Sequence, residues 1–274
     1  MTGLRFAIVD VFSATPLAGN ALCVVLDRCP PELMASIARE MNLSETTFPQ
    51  VTGPGAYEMR IFTPSTELPF AGHPSLGSAW ALGPGAWTQT TSGARVAVTA
   101  EADGARLLAP EPELAELSGA VAEQAVAAVG LEPKSVEAVV RATAGGISHL
   151  LVATTQAIGG LAPSPDRVRR ASIAAEAMSI APFARRGTAR LHARVFAPAA
   201  GVSEDPGTGS AAGSIGVLAG RLWDLDTELV IEQGAEIGRP CLLEVSLAGR
   251  QPQVGGRVTL CAQGTLRLDR LLTS

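Results

Sequence analysis

Arg60-Ile61-Phe62-Thr63-Pro64, followed by His73-Pro74-Ser75-Leu76-Gly77-Ser78-Ala79, has a counterpart further along the chain. There the text reads Arg194-Val195-Phe196-Ala197-Pro198, followed by Asp205-Pro206-Gly207-Thr208-Gly209-Ser210-Ala211. The paired His73 and Asp205 stand close to half the chain apart, so each copy holds the same place in its own half. Matched segments in matched places indicate two lobes of one fold, related by an approximate twofold axis. In each copy the stretch after the proline, Ser75 to Leu82 and Thr208 to Leu218, is small and apolar all round. A helix with no polar face has to be buried on every side. The pattern therefore predicts an α+β protein of two pseudo-symmetric lobes, each a mixed β-sheet or barrel wrapped around a central buried helix. The lobes are expected over residues 1–118 and 119–262, with 263–274 returning to the first.

Outward from the echo, short runs rich in Val, Ile and Leu and bounded by Gly, Pro or Asp read as strands; Arg5 to Val11, Tyr57 to Phe62, Leu150 to Thr154, Ala193 to Phe196 and Arg257 to Cys261 are examples. Pro31 to Met41 reads as a helix, with proline in its first turn and Leu33, Ile37 and Met41 on one face. Ala120 to Val129 and Ala171 to Ile180 read as further helices, and the turn-rich interval Gly160 to Arg170 as a surface crossing.

Composition narrows the function classes. Apolar residues make up 47% of the 274 and charged residues 17%, enough for a buried core and contrary to disorder. The net charge is −5, and no basic block offers nucleic acid or an anionic membrane a partner. Lys134 is the sole lysine, a compositional trait with no functional reading. MTGLRFAIVDVF at the start reads as a strand rather than a signal peptide, and no apolar run approaches the ~20 residues a membrane span needs. Cys23, Cys29, Cys241 and Cys261 form no CxxC pair and no metal-like spacing. Buried free thiols and a reducing cytoplasm are the expectation. There is no HExxH, no GxSxG and no GxGxxG after a strand, and Gly207-Thr208-Gly209-Ser210 lacks the lysine of a phosphate loop. No metal and no cofactor are expected.

Chemistry is left to a few polar residues. The first-turn N–H groups of the two buried helices lack intrahelical partners and carry partial positive charge. If both helix starts face a cleft between the lobes, it would hold a carboxylate, which says only that an anion binds. His73, just before a buried helix, either hydrogen-bonds a substrate or satisfies backbone groups, and composition does not separate the two. His149 and His192 lie in apolar strand-like surroundings and read as structural. Glu45, followed by Thr46, Thr47 and Phe48, reads on its own as an exposed strand residue. Asp205 reads as a helix N-cap, a role compatible with ligand binding at the same helix end.

These residues also carry a family resemblance. Val9-Asp10-Val11-Phe12, Pro16-Leu17-Ala18-Gly19-Asn20, Ala38-Arg39-Glu40-Met41-Asn42-Leu43-Ser44-Glu45-Thr46 and Phe62 to Pro74 resemble the signature of PhzF-like phenazine-biosynthesis proteins. Glu204 to Ser210, Gln233-Gly234, Gly238-Arg239-Pro240 and Gly255-Gly256 continue it in family order to the end of the chain. The resemblance implies the diaminopimelate-epimerase-like fold, an active site in the cleft between the two lobes, and a cofactor-independent isomerase. Carried over residue by residue, it implies Glu45 as the catalytic acid/base, with His73 and Asp205 beside the substrate. It further implies substrate contacts at Ser44, Gly72, Gly209 and Ser210. Epimerases of this fold use a cysteine at each helix start, and neither matching segment here contains one. A single carboxylate moving a proton along one face of an unsaturated cyclic amino acid is the implied chemistry. An amino-acid epimerase and a non-catalytic small-molecule binder are the alternatives. A small carboxylate or amino-acid substrate and a homodimer are the expected partners, the dimer by family analogy alone.

Overall fold

A computed structural model of the chain describes residues 3–225, 227–249 and 251–268. From 269 onward the expected return to the first lobe lies outside the described residues. The chain divides into two compact units, Met1–Leu107 with Gly255–Ser274, and Leu108–Val254. The first contains β1 (Gly3–Val11), β2 (Asn20–Val25), α1 (Pro31–Met41), β3 (Glu45–Gly53), β4 (Ala56–Phe62), β5 (Glu67–Leu68), α2 (Gly72–Leu82), β6 (Gly85–Thr90), β7 (Arg95–Ala100) and β8 (Gly104–Leu108). The second contains β9 (Glu113–Glu116), α3 (Gly119–Val129), β10 (Val136–Ala144), β11 (Ile147–Thr154), α4 (Pro165–Ala174), β12 (Ser179–Arg185), β13 (Arg190–Ala193), β14 (Val195–Ala197), β15 (Val202–Asp205), α5 (Gly209–Trp223), β16 (Glu228–Gln233) and β17 (Cys241–Ser246). A last strand, β18 (Gln253–Arg267), pairs with β1 of the first unit.

The first unit is a closed barrel. β1 and β2 pair antiparallel, β2 and β3 parallel, β3 and β4 antiparallel, β4 and β6 parallel. β6, β7 and β8 continue antiparallel, and β18 joins β8 to β1, completing eight strands with no free edge. The strands form because one face of each is apolar: in β7, Val96, Val98 and Ala100 are buried and the alternate residues exposed. α2 runs inside, buried from Gly72 through Ala79 and packed on β1, β2, β3 and β7. Its few hydroxyls are satisfied there, Ser78 by Thr47 at 2.8 Å and Ser75 by the Gln89 amide at 2.9 Å. α1 lies outside the barrel, its Met34, Ile37 and Ala38 packed with Cys29, Phe48 and Phe62.

The second unit repeats the order. β10 and β11 pair antiparallel, β11 and β12 parallel, β12 and β13 antiparallel, β13 and β16 parallel, β16 and β17 antiparallel. A helix again separates the second and third strands of the series, α4 answering α1, and a buried helix again precedes the fifth, α5 answering α2. α5 packs on β10, β11 and β17, while α3 and α4 share a core with Leu150, Val152, Ile180 and Phe196. The expected α+β class with one central helix per lobe is the observed one.

Local expectations need three corrections. The helix expected over Ala171 to Ile180 is α4, beginning at Pro165 and ending at Ala174. Proline at its first turn and Asp166 near the positive helix end start it; Glu176, at φ 51°, stops it, and Ser179 onward is strand. The run Ala193 to Phe196 is two strands split at Arg194, whose N–H bonds the Pro182 carbonyl at 3.0 Å. Asp205 does not cap α5: it ends β15, and the N-cap position is Thr208. Among the described residues, no helix is long and apolar enough to cross a membrane.

Candidate functional site

In the first unit the chain brings Glu45 to His73. Asn42, left-handed at φ 49°, ends α1 and turns the chain through Ser44 into β3, whose first residue is Glu45. Parallel pairing with β2 sets Glu45 opposite Leu22. His73 is the second residue of α2, immediately after Gly72. Its Nε2 lies 3.3 Å from Glu45 Oε2, with side-chain exposures of 6% and 15%. On the other side of the ring, Asn20 Nδ2 lies 3.4 Å from Nδ1. An amide N–H donating to Nδ1 leaves the ring proton on Nε2, near the Glu45 carboxyl but not in line for a hydrogen bond with it. Burial pushes the His73 imidazole down to a pKa of about 3. That outweighs the neighbouring acid, so the contact joins a neutral ring to a carboxyl group and is not an ion pair. Gly19 makes Asn20's position attainable: at φ 74° it holds a left-handed turn, and a Cβ there would sit 2.5 Å from the Val11 carbonyl oxygen.

The second unit gathers Asp205 and Ser210 around the start of α5. Thr208 donates its hydroxyl to Asp205 Oδ2. Gln233 braces the turn, its Nε2 donating to the Asp205 carbonyl at 2.8 Å and its Oε1 accepting from the Thr208 N–H at 3.2 Å. Gly234, at φ 81°, lets the next turn pass close by, since a Cβ there would lie 2.5 Å from the Pro206 carbonyl oxygen. Gly209 and Ser210 are the first two helical residues. Ser210 Oγ lies 2.9 Å from His149 Nε2, and His149 Nδ1 lies 2.7 Å from Ser179 Oγ. Burial lowers the His149 pKa to about 4, so this ring is neutral too.

Ser44, Glu45, Gly72 and His73 thus fall in one unit, and Asp205, Gly209 and Ser210 in the other. Asn20, Thr208 and His149 went unnoticed as partners in sequence. Asn20 adjoins a glycine in a resembling segment, which is a signal. His149 carries none, because its partner Ser210 is 61 residues away. Among the described residues, no cluster of His, Cys, Asp and Glu could hold a metal ion.

The model of the phenazine biosynthesis-like protein family matches residues 9–268. The chain belongs to that family. A trans-2,3-dihydro-3-hydroxyanthranilate isomerase of Pseudomonas fluorescens is 36% identical over 286 aligned positions, covering 96% of this chain and 99% of the relative. A solved PhzF-family protein of Bacillus anthracis superposes with a TM-score of 0.83 at 23% identity, over 97% and 99% of the two chains. A predicted epimerase from Pseudomonas aeruginosa gives 0.81 at 28% identity, over 96% and 99%. This member of the phenazine biosynthesis-like family is an isomerase. Neither helix start carries a cysteine; Gly72-His73 and Gly209-Ser210 stand in those places.

Proposed function

We propose that the enzyme moves a proton, and with it a double bond, along one face of a small unsaturated cyclic amino acid, with Glu45 as the single acid/base and no cofactor. One observation carries the reading: a carboxyl group held 3.3 Å from a neutral, nearly sealed histidine at the tip of a buried helix. Glu45 takes a proton from an allylic carbon, whose C–H electrons enter the conjugated system of the substrate. The double bond shifts, and the same carboxyl returns the proton to the far carbon of that system. Charge that builds on the substrate carboxylate is met by first-turn N–H groups of the buried helices and by the Ser210 hydroxyl. His73 and Asp205 position the substrate's nitrogen. The dihydro-hydroxyanthranilate named for the Pseudomonas relatives fits this chemistry, as does an alkylated dihydropyrrole carboxylate.

Trans-2,3-dihydro-3-hydroxyanthranilate incubated in D2O provides the test. Wild-type protein is expected to form isomerised product, and Glu45→Gln to lose turnover by roughly 1000-fold or more while retaining ligand affinity. Undiminished turnover by Glu45→Gln ends the assignment of the base. Ser210→Ala and His73→Gln extend the test to both units. The name of the Pseudomonas aeruginosa neighbour favours epimerisation as the second reading. Chiral analysis of an amino-acid panel separates the two, because an epimerase inverts one centre and leaves every double bond in place.

A further inference from the structure

Ser210 is the terminus of a hydrogen-bonded chain that runs into the second unit. Ser179 Oγ, His149 Nδ1, His149 Nε2 and Ser210 Oγ follow one another at 2.7 and 2.9 Å across the ring. The inner end is sealed, with Ser179 fully buried and His149 1% exposed, whereas Ser210 is only partly buried. Both inner residues are fixed by strand register: β11 and β12 run parallel with His149 opposite Ser179.

A neutral imidazole supports two directions for such a chain. In one, Ser210 donates to Nε2, Nδ1–H donates to Ser179, and the Ser179 proton must find another acceptor in the interior. Among the described residues the Ser179 hydroxyl has no such acceptor, and a buried donor left without one is destabilising. In the other direction, Ser179 donates to Nδ1, Nε2–H donates to Ser210 Oγ, and the Ser210 proton is turned outward. Every buried donor then has an acceptor. The single proton in search of a partner emerges at the first turn of α5, where the backbone N–H groups also lack intrahelical acceptors. Burial, by holding the ring neutral, keeps both ring nitrogens from carrying protons together.

We infer that His149, with its proton on Nε2 and Ser179 locking that tautomer, is the positioning residue that makes Ser210 a hydrogen-bond donor to a ligand carboxylate. The part given to Ser210 rests on the function proposed above; the tautomer does not. The register supports the inference from another side. Glu45 opens β3 and Ser179 opens β12, each in parallel pairing with the preceding strand, and His73 and Ser210 are the second residues of the two buried helices. Where one unit holds an acid and a histidine, the other holds an uncharged relay at the corresponding positions.

Nitrogen NMR of protein labelled with 15N-histidine reads the tautomer without turnover. His73, His149 and His192 are the three histidines, and the His149→Phe spectrum identifies the His149 signals. A protonated Nε2 with a bare Nδ1 is expected; the reverse overturns the inference whatever the enzyme's reaction. For the consequence, kcat/KM is compared for Ser210→Ala, His149→Phe and the double variant. His149→Phe is expected to lose about tenfold, as Ser210→Ala does, with no further loss in the double variant. His149→Gln, whose amide N–H takes the place of Nε2–H, should recover most of that loss at unchanged Tm. Multiplying losses in the double variant, or wild-type kcat/KM in folded His149→Phe, overturns the positioning role. Should His149→Phe not fold, Ser179→Ala decides: losing the hydroxyl must shift the Nδ1 signal of His149, which identifies it, and that signal must be a bare nitrogen's in the wild type; a protonated one overturns the inference. Should the wild type turn over none of the substrates tried, the proposed reaction fails, and anthranilate affinity by calorimetry supplies the same cycle.

Discussion

Two buried neutral histidines, His73 in the first turn of α2 and His149 in β11, tie this protein's stability to pH. The ordinary imidazole value is 6.5, and burial takes His73 to about 3 and His149 to about 4. In the unfolded chain both rings bind protons as pH falls below 6.5, while the folded rings do not, so the unfolded state binds more protons and stability falls with acid. The contribution is whole above pH 6.5 and shrinks as pH drops toward 4 for His149 and 3 for His73. Each ring gives a slope of about 1.4 kcal/mol per pH unit. Urea unfolding at pH 7.5 and 5.0 should therefore differ by on the order of 3–4 kcal/mol, and His149→Gln should remove about half of that difference. A second residue-scale prediction concerns Arg194. Its guanidinium binds Glu204 through two bonds of 2.8 Å and the Leu161 carbonyl at 2.6 Å, with side-chain exposures of 6% and 10% for the pair. Glu204→Gln leaves a buried cation without its counter-charge and should cost about 3–5 kcal/mol by urea unfolding. Arg60 and Glu67 make the matching fork in the first unit, but with exposures of 42% and 37%. Arg60→Ala should cost no more than about 1 kcal/mol. The echo in the text announced both arginines. It could not announce which would be buried, since that depends on what covers each copy.

Between elements, the repeated text and the repeated structure are offset. The sequence aligns His73-Pro74 with Asp205-Pro206, yet His73 is already helical while Asp205 ends a strand ahead of α5. The strand-like runs, the buried helices and the Arg-x-Phe segments were legible because they depend on hydrophobic pattern and local breakers. The offset was not, because it depends on Gln233 and Gly234, far along the chain, bracing the turn before α5. The buried helices share one further device, a glycine against the wall. In α2, a Cβ on Gly77 would meet Leu22 Cδ2 at 2.6 Å and Val11 Cγ2 at 2.9 Å; in α5, one on Gly216 would meet Val245 Cγ1 at 2.7 Å. Alanine normally gains about 1 kcal/mol over glycine within a helix. Here the added methyl presses on fully buried Leu22 and Val11, and overpacking of this kind costs about 1–3 kcal/mol. Gly77→Ala should therefore lower stability by about 1 kcal/mol or more in spite of propensity. Gly220→Ala, whose nearest neighbour is the end of the Leu247 side chain at 3.3 Å, should leave the unfolding midpoint close to wild type.

Across the whole chain, the two units differ in how they are closed. Leu108–Val254 is one continuous stretch with its own apolar core. The barrel of the first unit instead needs strands from opposite ends of the sequence: Gly3 pairs with Arg267 and Val11 with Val258, and β18 also lies beside β8. Without β18 the remaining seven strands present two long unpaired edges, a state that is open to association and short of buried apolar surface. The glycines on that seam fit β18 closely, since a Cβ on Gly104 would lie 2.5 Å from the Gly256 carbonyl oxygen. A chain ending after Val254 should therefore keep a protease-resistant core spanning Leu108 to Val254 while its first 107 residues are cut rapidly. Limited proteolysis with mass spectrometry reads the outcome directly. Adding a peptide of residues 253–268 in trans should slow cleavage of the N-terminal part, because it supplies both missing pairings at once. Protection of residues 3–107 in the truncated chain without that peptide would show that the barrel holds with its seam open, contrary to the closure argued from the register. The same dependence places the Glu45–His73 pair under the control of the last strand to be made, since its barrel cannot close until β18 has been synthesised.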